Sequence, residues 1–181
     1  MHVKDAIESR RAYRILDEVK IDKPILNDLI GSAMLAPSCF NNQPWRFLTI
    51  YQKEGLEAMK GALSKGNEWA RDASAYVVVY SRKDLDCNIQ DRHYYLFDTG
   101  MATAFLMLRA TELNLVAHPI AGFSPKKIKE LFGISKDMMV ITVVVLGKKG
   151  SEPGPLLSNE QIETETERPE RLSIDEIRSF G

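Results

Sequence analysis

Three guanidiniums fall within five residues of this chain, at Arg10, Arg11 and Arg14. Arginine's planar fork suits bidentate recognition of a phosphate, or of the carbonyl edge of a heteroaromatic ring. If a helix persisted that far, positions 10 and 14 would share a face and Arg11 would point elsewhere. By spacing alone the cluster reads more readily as a solvated basic helix end, where cations offset the macrodipole. A second segment, Ser38 to Gln43, offers a hydroxyl, a thiol and three carboxamides within six residues. Carboxamides donate and accept without charge, as reading a ring edge that bears both kinds of group requires. Ser and Asn are equally favoured in capped turns, so both readings stay open. A third, Pro119-Ile120-Ala121-Gly122-Phe123, sets a glycine among small residues, where backbone N–H groups can approach a ligand. It also fits an ordinary strand-to-helix turn. Arg168 and Arg171 stand in a tail that is otherwise acidic, and there paired surface charge is the plain alternative. Cys39 has no histidine beside it and reads as a small residue, not a nucleophile. His118 reads as structural, at the border of a site.

The elements that must position these residues follow from periodicity. Val3 to Arg11 has the spacing of a short amphipathic helix. A second helix starts at Pro24, where the missing N–H costs nothing, and Pro37 ends it. Arg46 to Tyr51 alternates as a strand, Leu56 to Leu63 reads as helix, and Ala75 to Tyr80 is a β-branched buried strand. Ser81 to Asn88 reads as a polar loop. Gln90 to Asn114 is a long helix, apolar nearly all round, which implies burial on all sides and suggests sharing with a second subunit. Val116 to Ile120 is a short strand, Ser124-Pro125 opens another helix, and Met139 to Leu146 is a second buried strand. Ser151 to Arg171 reads as a polar tail without the apolar residues for a core. Ile174, Ile177 and Phe180 then return and should pack on something.

These limits narrow the classes. The 181 residues, 44% of them hydrophobic, suit a single domain with one sizeable core. A net charge of -1 supplies no global field for nucleic acid or an acidic membrane. Two cysteines are too few for a disulfide framework, and no Cys/His spacing marks a metal site. The polar opening Met1–Ala6 carries no secretory pattern, and no apolar run approaches the ~20 residues of a membrane span. A cytoplasmic protein is therefore expected. No GxGxxG, P-loop or GxSxG is present, which removes the usual marks of Rossmann, nucleotidase and hydrolase sites.

The order and spacing of the segments carry more than each alone. The chain resembles the nitroreductase family of FMN-dependent oxidoreductases. The likeness runs through Arg10-Arg11-Ala12-Tyr13-Arg14, Ala36 to Phe47 with its Pro-Ser-x-x-Asn-x-Gln-Pro-Trp pattern, Asn67 to Ala73, Asp98 to Ala102, Pro119 to Phe123, and a basic pair near the C-terminus. It implies an α+β sandwich with a central mixed sheet flanked by helices. It implies an intertwined homodimer with two FMN sites at the interface. The whole chain, 1–181, would be one FMN-binding domain whose 151–181 extension packs on the partner subunit. By resemblance, Arg10, Arg11 and Arg171 hold the phosphate, with Arg168 beside them, and Arg14 sits near the N1/O2 edge of the flavin. Asn67 bonds the pyrimidine edge, backbone of Ala121 and Gly122 faces N5 and O4 with Pro119 and Ile120 also at the cofactor, and Pro37, Ser38, Cys39, Asn41 and Gln43 reach in from the other subunit. Ala12 stands where the family often has serine, which removes one hydroxyl contact. NAD(P)H would reduce the flavin, and a nitroaromatic, quinone or free flavin would then accept the electrons. The alternative is an FMN-storing or redox-sensing protein with little turnover.

Overall fold

The computed structural model describes all 181 residues. In chain order its elements are α1 (Val3–Ser9), β1 (Leu16–Asp17), α2 (Lys23–Met34), β2 (Arg46–Ile50), α3 (Lys53–Lys60) and β3 (Ala75–Ser81). There follow β4 (Asn88–Ile89), β5 (Arg92–His93), α4 (Tyr94–Glu112), β6 (Val116–Ile120), α5 (Pro125–Phe132), β7 (Met139–Lys149), α6 (Asn159–Thr166) and α7 (Ile174–Ile177).

β7 is the spine. One edge pairs with β3, from Ala75↔Leu146 to Ser81↔Met139. The other edge carries β6, from Ile120↔Val143 to Val116↔Gly147, and then β1 at Asp17↔Lys148 and Leu16↔Lys149. β2 closes the far side against β3. Every ladder inside the chain is antiparallel, where the resemblance implies a mixed sheet, because all three partners of β7 run opposite to it.

Alternation along the strands divides the core in two. Val77, Val79, Val144, Leu146 and Ala117 meet Leu26, Leu29 and Ala33 of α2 and Ala102, Leu106 and Ala110 of α4. Tyr76, Val78, Val143, Val145 and Ile120 turn the other way, onto Trp69, Met59 of α3 and Ile128 of α5. A sheet buried on both faces explains why β3 and β7 read as continuous apolar runs. Fully buried side chains such as Leu29, Met59 and Leu106 each contribute about 1.5–3 kcal/mol by burial.

Local signals set the helix ends. Asp22 Oδ1 accepts from Ile25 N at 3.2 Å to cap α2, and Ser124 Oγ accepts from Lys127 N at 3.3 Å to cap α5. Gly133, at φ 67°, stops α5 in the left-handed conformation that glycine adopts without strain.

Four elements differ from the sequence expectation. α1 ends at Ser9, not Arg11, because Arg168 Nη2 donates to the carbonyls of Glu8 and Arg10 and so caps the last turn. The expected polar loop folds into a short turn and the β4–β5 hairpin, with Asn88 Nδ2 donating to Lys83 O at 2.7 Å and Asp86 O at 3.1 Å. α4 is buried on one face only and leaves Leu96, Phe97 and Phe105 exposed. The tail holds α6, started by a capping box in which Ser158 and Gln161 bond each other's backbone.

Candidate functional site

Residues 10–15 form a strap between α1 and β1, and α6 lies along it. Glu165, buried in α6, accepts from Arg14 N at 2.8 Å and from Ile15 N at 3.3 Å. Arg11 Nη2 donates to the carbonyls of Thr164 and Glu167 at 2.8 and 2.7 Å. Arg14 Nη1 donates to Thr164 Oγ1 at 2.9 Å and lies 4.0 Å from the Glu165 carboxylate. Between strap and tail opens a cavity of about 250 Å³ lined by Arg10, Arg11, Ala12, Arg14, Arg168 and Arg171, with Thr164 and Pro169.

The charge in this cavity is uncompensated on one side. Neither the Arg10 nor the Arg171 guanidinium has a hydrogen-bond or ion-pair partner in the chain. Burial, and then the neighbouring Arg168 and Arg171, lower the Arg10 pKa. Converging guanidiniums without a carboxylate make a receptor for a dianion such as a phosphate monoester.

The strap is fixed to the sheet by His118. Its Nδ1 lies 3.0 Å from Tyr13 O, so this nitrogen carries the proton of a neutral ring. The ring packs on Trp69 with centroids 4.7 Å apart. Burial outweighs the Tyr13 bond and, with Arg14 and Arg10 nearby, lowers the His118 pKa to about 4.

Beyond His118, β6 runs into the glycine turn. Ser64 N donates to Gly122 O at 3.0 Å and Ser124 N to Ala62 O at 2.7 Å, so residues 61–67 and 121–124 lie side by side. The Asn67 carboxamide occupies the space where a Cβ on residue 122 would stand. The N–H groups of Ala121 and Gly122 donate to no acceptor within the chain. The Ile120 side chain is buried in the core, so only its backbone can face a ligand. Pro119 is half-buried within β6. Gln161 Nε2 of α6 donates to Gly66 O at 2.9 Å and links this turn to the arginine cavity.

The Pro37–Gln43 loop lies elsewhere. It precedes β2, whose Arg46 is level with Tyr80 and Val140, whereas the strap joins β1 at the level of Lys149. Nine residues of β7 separate those levels, roughly 30 Å of strand. No hydrogen bond links the loop to the arginine cavity or to Asn67 and Gly122. Inside the loop, Gln43 N donates to Ser38 Oγ at 2.9 Å and Gln43 Nε2 to Asn41 O at 3.3 Å. Phe40, Asn41 and Gln43 all have positive φ, a backbone region non-glycine residues rarely occupy. Cys39 is not the free small residue expected from sequence. It forms a disulfide with Cys87, which the turn after β3 carries back to the loop.

The model of the nitroreductase family matches residues 7–68 and 62–148. The chain belongs to the nitroreductase family. An Archaeoglobus fulgidus relative, provisionally named a NADH dehydrogenase/NAD(P)H nitroreductase, is 32% identical over 78% of this chain and 82% of its own length. A structure from Exiguobacterium sibiricum, described as a provisional nitroreductase in complex with FMN, superposes with a TM-score of 0.81. It is 25% identical and covers 100% of this chain and 98% of its own. A further solved oxidoreductase containing FMN matches with a TM-score of 0.85, at 26% identity over 100% of this chain and 92% of the other.

Within this nitroreductase-family chain, the residues singled out in sequence fall into three groups. The arginines with Ala12 share one cavity, Asn67 meets the Pro119–Gly122 turn, and the Pro37–Gln43 loop stands apart from the arginines. Sequence reading missed Glu165 and Thr164, which hold the strap, and Asp98, whose carboxylate accepts from Cys39 N at 2.6 Å. A carboxylate inside an apolar helix was the visible signal for Asp98. Nothing separates Glu165 from the other acids of the tail.

Proposed function

We propose that this chain is an FMN-dependent oxidoreductase that draws reducing equivalents from NAD(P)H and passes them to a small-molecule acceptor such as a nitroaromatic, quinone or flavin. The observation that carries the reading is the convergence of the partnerless Arg10 and Arg171 with Arg168 on one cavity. The likeness to FMN-containing structures over the full chain supports it.

The residues present fit the group. Arg10, Arg11 and Arg171 would hold its phosphate, aided by Arg168. Arg14, steadied by Thr164 and Glu165, would supply positive charge where the reduced ring becomes anionic. The N–H groups of Ala121 and Gly122 would donate to the ring edge, and Asn67 would read its pyrimidine side. Bound FMN supplies the ring that takes a hydride and returns two electrons. No side chain of this chain needs to act as a nucleophile, which agrees with a neutral His118 turned toward Tyr13.

A homodimer completes this reading. Val3, Ile7, Leu35, Phe97 and Phe105 leave an apolar face on α1, α2 and α4 uncovered. A partner seated there would bring its Pro37, Ser38, Cys39, Asn41 and Gln43 toward the flavin. The exposed Leu172, Ile174, Ile177 and Phe180 of the 172–181 segment would pack on that partner. No helix is long and apolar enough to cross a membrane. A cytoplasmic location remains part of the proposal, on the sequence expectation.

The test is the visible spectrum of the purified protein, followed by anaerobic titration with NADH and NADPH. Flavin bands that bleach with either nicotinamide and recover on adding a quinone are expected. Bound flavin that neither nicotinamide bleaches would point to storage or sensing, and a colourless protein that takes up no FMN would end the flavin reading.

A further inference from the structure

We propose that the Cys39–Cys87 bond is a reversible thiol–disulfide exchange site, reduced by dithiol donors, and that its state sets the conformation of the 38–43 loop. The two cysteines are the only ones in the chain, and they pair with each other across a sequence separation of 48 residues, Cα to Cα 6.1 Å. Neither belongs to either core cluster, and both are partly exposed. The bond therefore lies outside both core clusters, between residues that each keep part of their surface toward solvent. In a reducing compartment, bonds of this kind are transient or sensory far more often than structural.

Chemistry suited to exchange surrounds the two sulfurs. Asp86 and Asp98 are both buried. Asp98 accepts from Cys39 N at 2.6 Å, and Asp86 Oδ1 accepts from Cys87 N at 2.8 Å and from Asn42 Nδ2 at 3.2 Å. Asp86 Oδ2 has no hydrogen-bond donor in the chain. Burial raises the Asp98 pKa, Cys39 N–H opposes the rise, and the facing Asp86 carboxyl adds to it. The Asp98 carboxyl, held above its usual range, thus lies beside Cys39, whose sulfur must gain a proton on reduction. Asn42 Nδ2 also lies 3.6 Å from Cys87 Sγ, so a thiolate forming on Cys87 meets an N–H donor.

The electron balance follows from those positions. A donor thiolate attacks Cys39 Sγ, the Cys39–Cys87 bond breaks, and Cys87 leaves as a thiolate that meets the Asn42 N–H and then takes a proton from solvent. The donor's second thiol then displaces Cys39 Sγ from the mixed disulfide. Two electrons and two protons pass from the dithiol to the chain, the protons by way of solvent, leaving Cys39 and Cys87 as thiols and the donor as a disulfide.

The loop is built to respond. Its positive φ angles at Phe40, Asn41 and Gln43 persist only while the surroundings impose them. The tether at Cys39 is the single covalent part of those surroundings. Under the proposed function the same loop borders the partner's flavin, so a consequence for the acceptor site rests on that reading, whereas the exchange site itself does not.

The test uses the oxidised protein as purified, treated with dithiothreitol under native conditions. Alkylation mass shifts count thiols, and hydrogen exchange reads the amides of residues 39–43. Two thiols per chain and exchange faster by about tenfold or more in that loop, reversed on reoxidation, are expected. Cys87→Ser and Cys39→Ser should each show the fast exchange without any dithiol, with circular dichroism confirming the fold. Thiols that appear only after denaturation, or a reduced chain whose loop exchanges at the oxidised rate, overturn the proposal. If both variants unfold, the wild-type arm decides it alone. Neither readout involves flavin, so a chain that binds no FMN can still pass or fail this test.

Discussion

Arg10 and Arg171 face one cavity with no carboxylate to neutralise either, whereas Arg11 and Arg14 spend their donors on α6. The first pair is therefore free for a ligand, and the second pair braces the strap on α6 while still lining the same cavity. Charged hydrogen bonds are each worth about 1.5–3 kcal/mol, so Arg10→Ala with Arg171→Ala should weaken FMN retention by roughly 100-fold or more. Equilibrium dialysis against FMN checks this, and unchanged retention would place the phosphate elsewhere. His118 gives a pH signature. Its pKa falls from 6.5 to about 4 on folding, so the unfolded chain binds the extra proton between those values. Stability contributed by the neutral ring is complete above pH 6.5 and is lost as pH falls toward 4, by an amount on the order of 3 kcal/mol. Urea unfolding at pH 7.5 and pH 4.5 should show that loss, and His118→Gln should flatten it.

At the scale of elements, α6 is what turns scattered arginines into a site. Glu165→Ala removes the acceptor for Arg14 N and Ile15 N, and a loss of about 1–3 kcal/mol in denaturant stability is expected, with faster FMN release measured by stopped flow. A truncation that stops before Ser158 should lose FMN retention while keeping the far-UV spectrum of the sheet and its helices. The parts of this arrangement were unequally legible. β3 and β7 announced themselves because burial on both faces leaves runs such as Val77-Val78-Val79 and Val143-Val144-Val145. The Ser158-x-x-Gln161 box was also present in the sequence, but its few apolar neighbours hid it inside an acidic stretch. The cradle needed tertiary information: Arg168 ends α1 by reaching carbonyls some 160 residues away, which no local pattern records. The disulfide was equally hidden, since two cysteines 48 residues apart imply nothing until the turn after β3 returns one to the other.

For the molecule as a whole, the decisive feature is the uncovered apolar face. Phe97 is 64% and Leu35 80% exposed, values suited to residues awaiting a neighbour. Sedimentation velocity should find the protein at twice its 20.5 kDa chain mass, and Leu35→Glu with Phe97→Asp should return it to the monomer and cost it flavin. A stable monomer in the wild type would remove the partner from the site. The position of Arg10 near one end of the sequence and Arg171 near the other has a separate effect. An anion gripped by both closes the polypeptide into a ring that spans almost its whole length. The entropy of such closure grows only slowly with length, so even this long loop is inexpensive to hold shut. Such a ligand would add a removable cross-link to the contacts that Arg11, Arg14 and Arg168 already make between the two ends of the chain. The melting temperature should climb steadily with added FMN, as mass action requires of a ligand that binds only the folded chain.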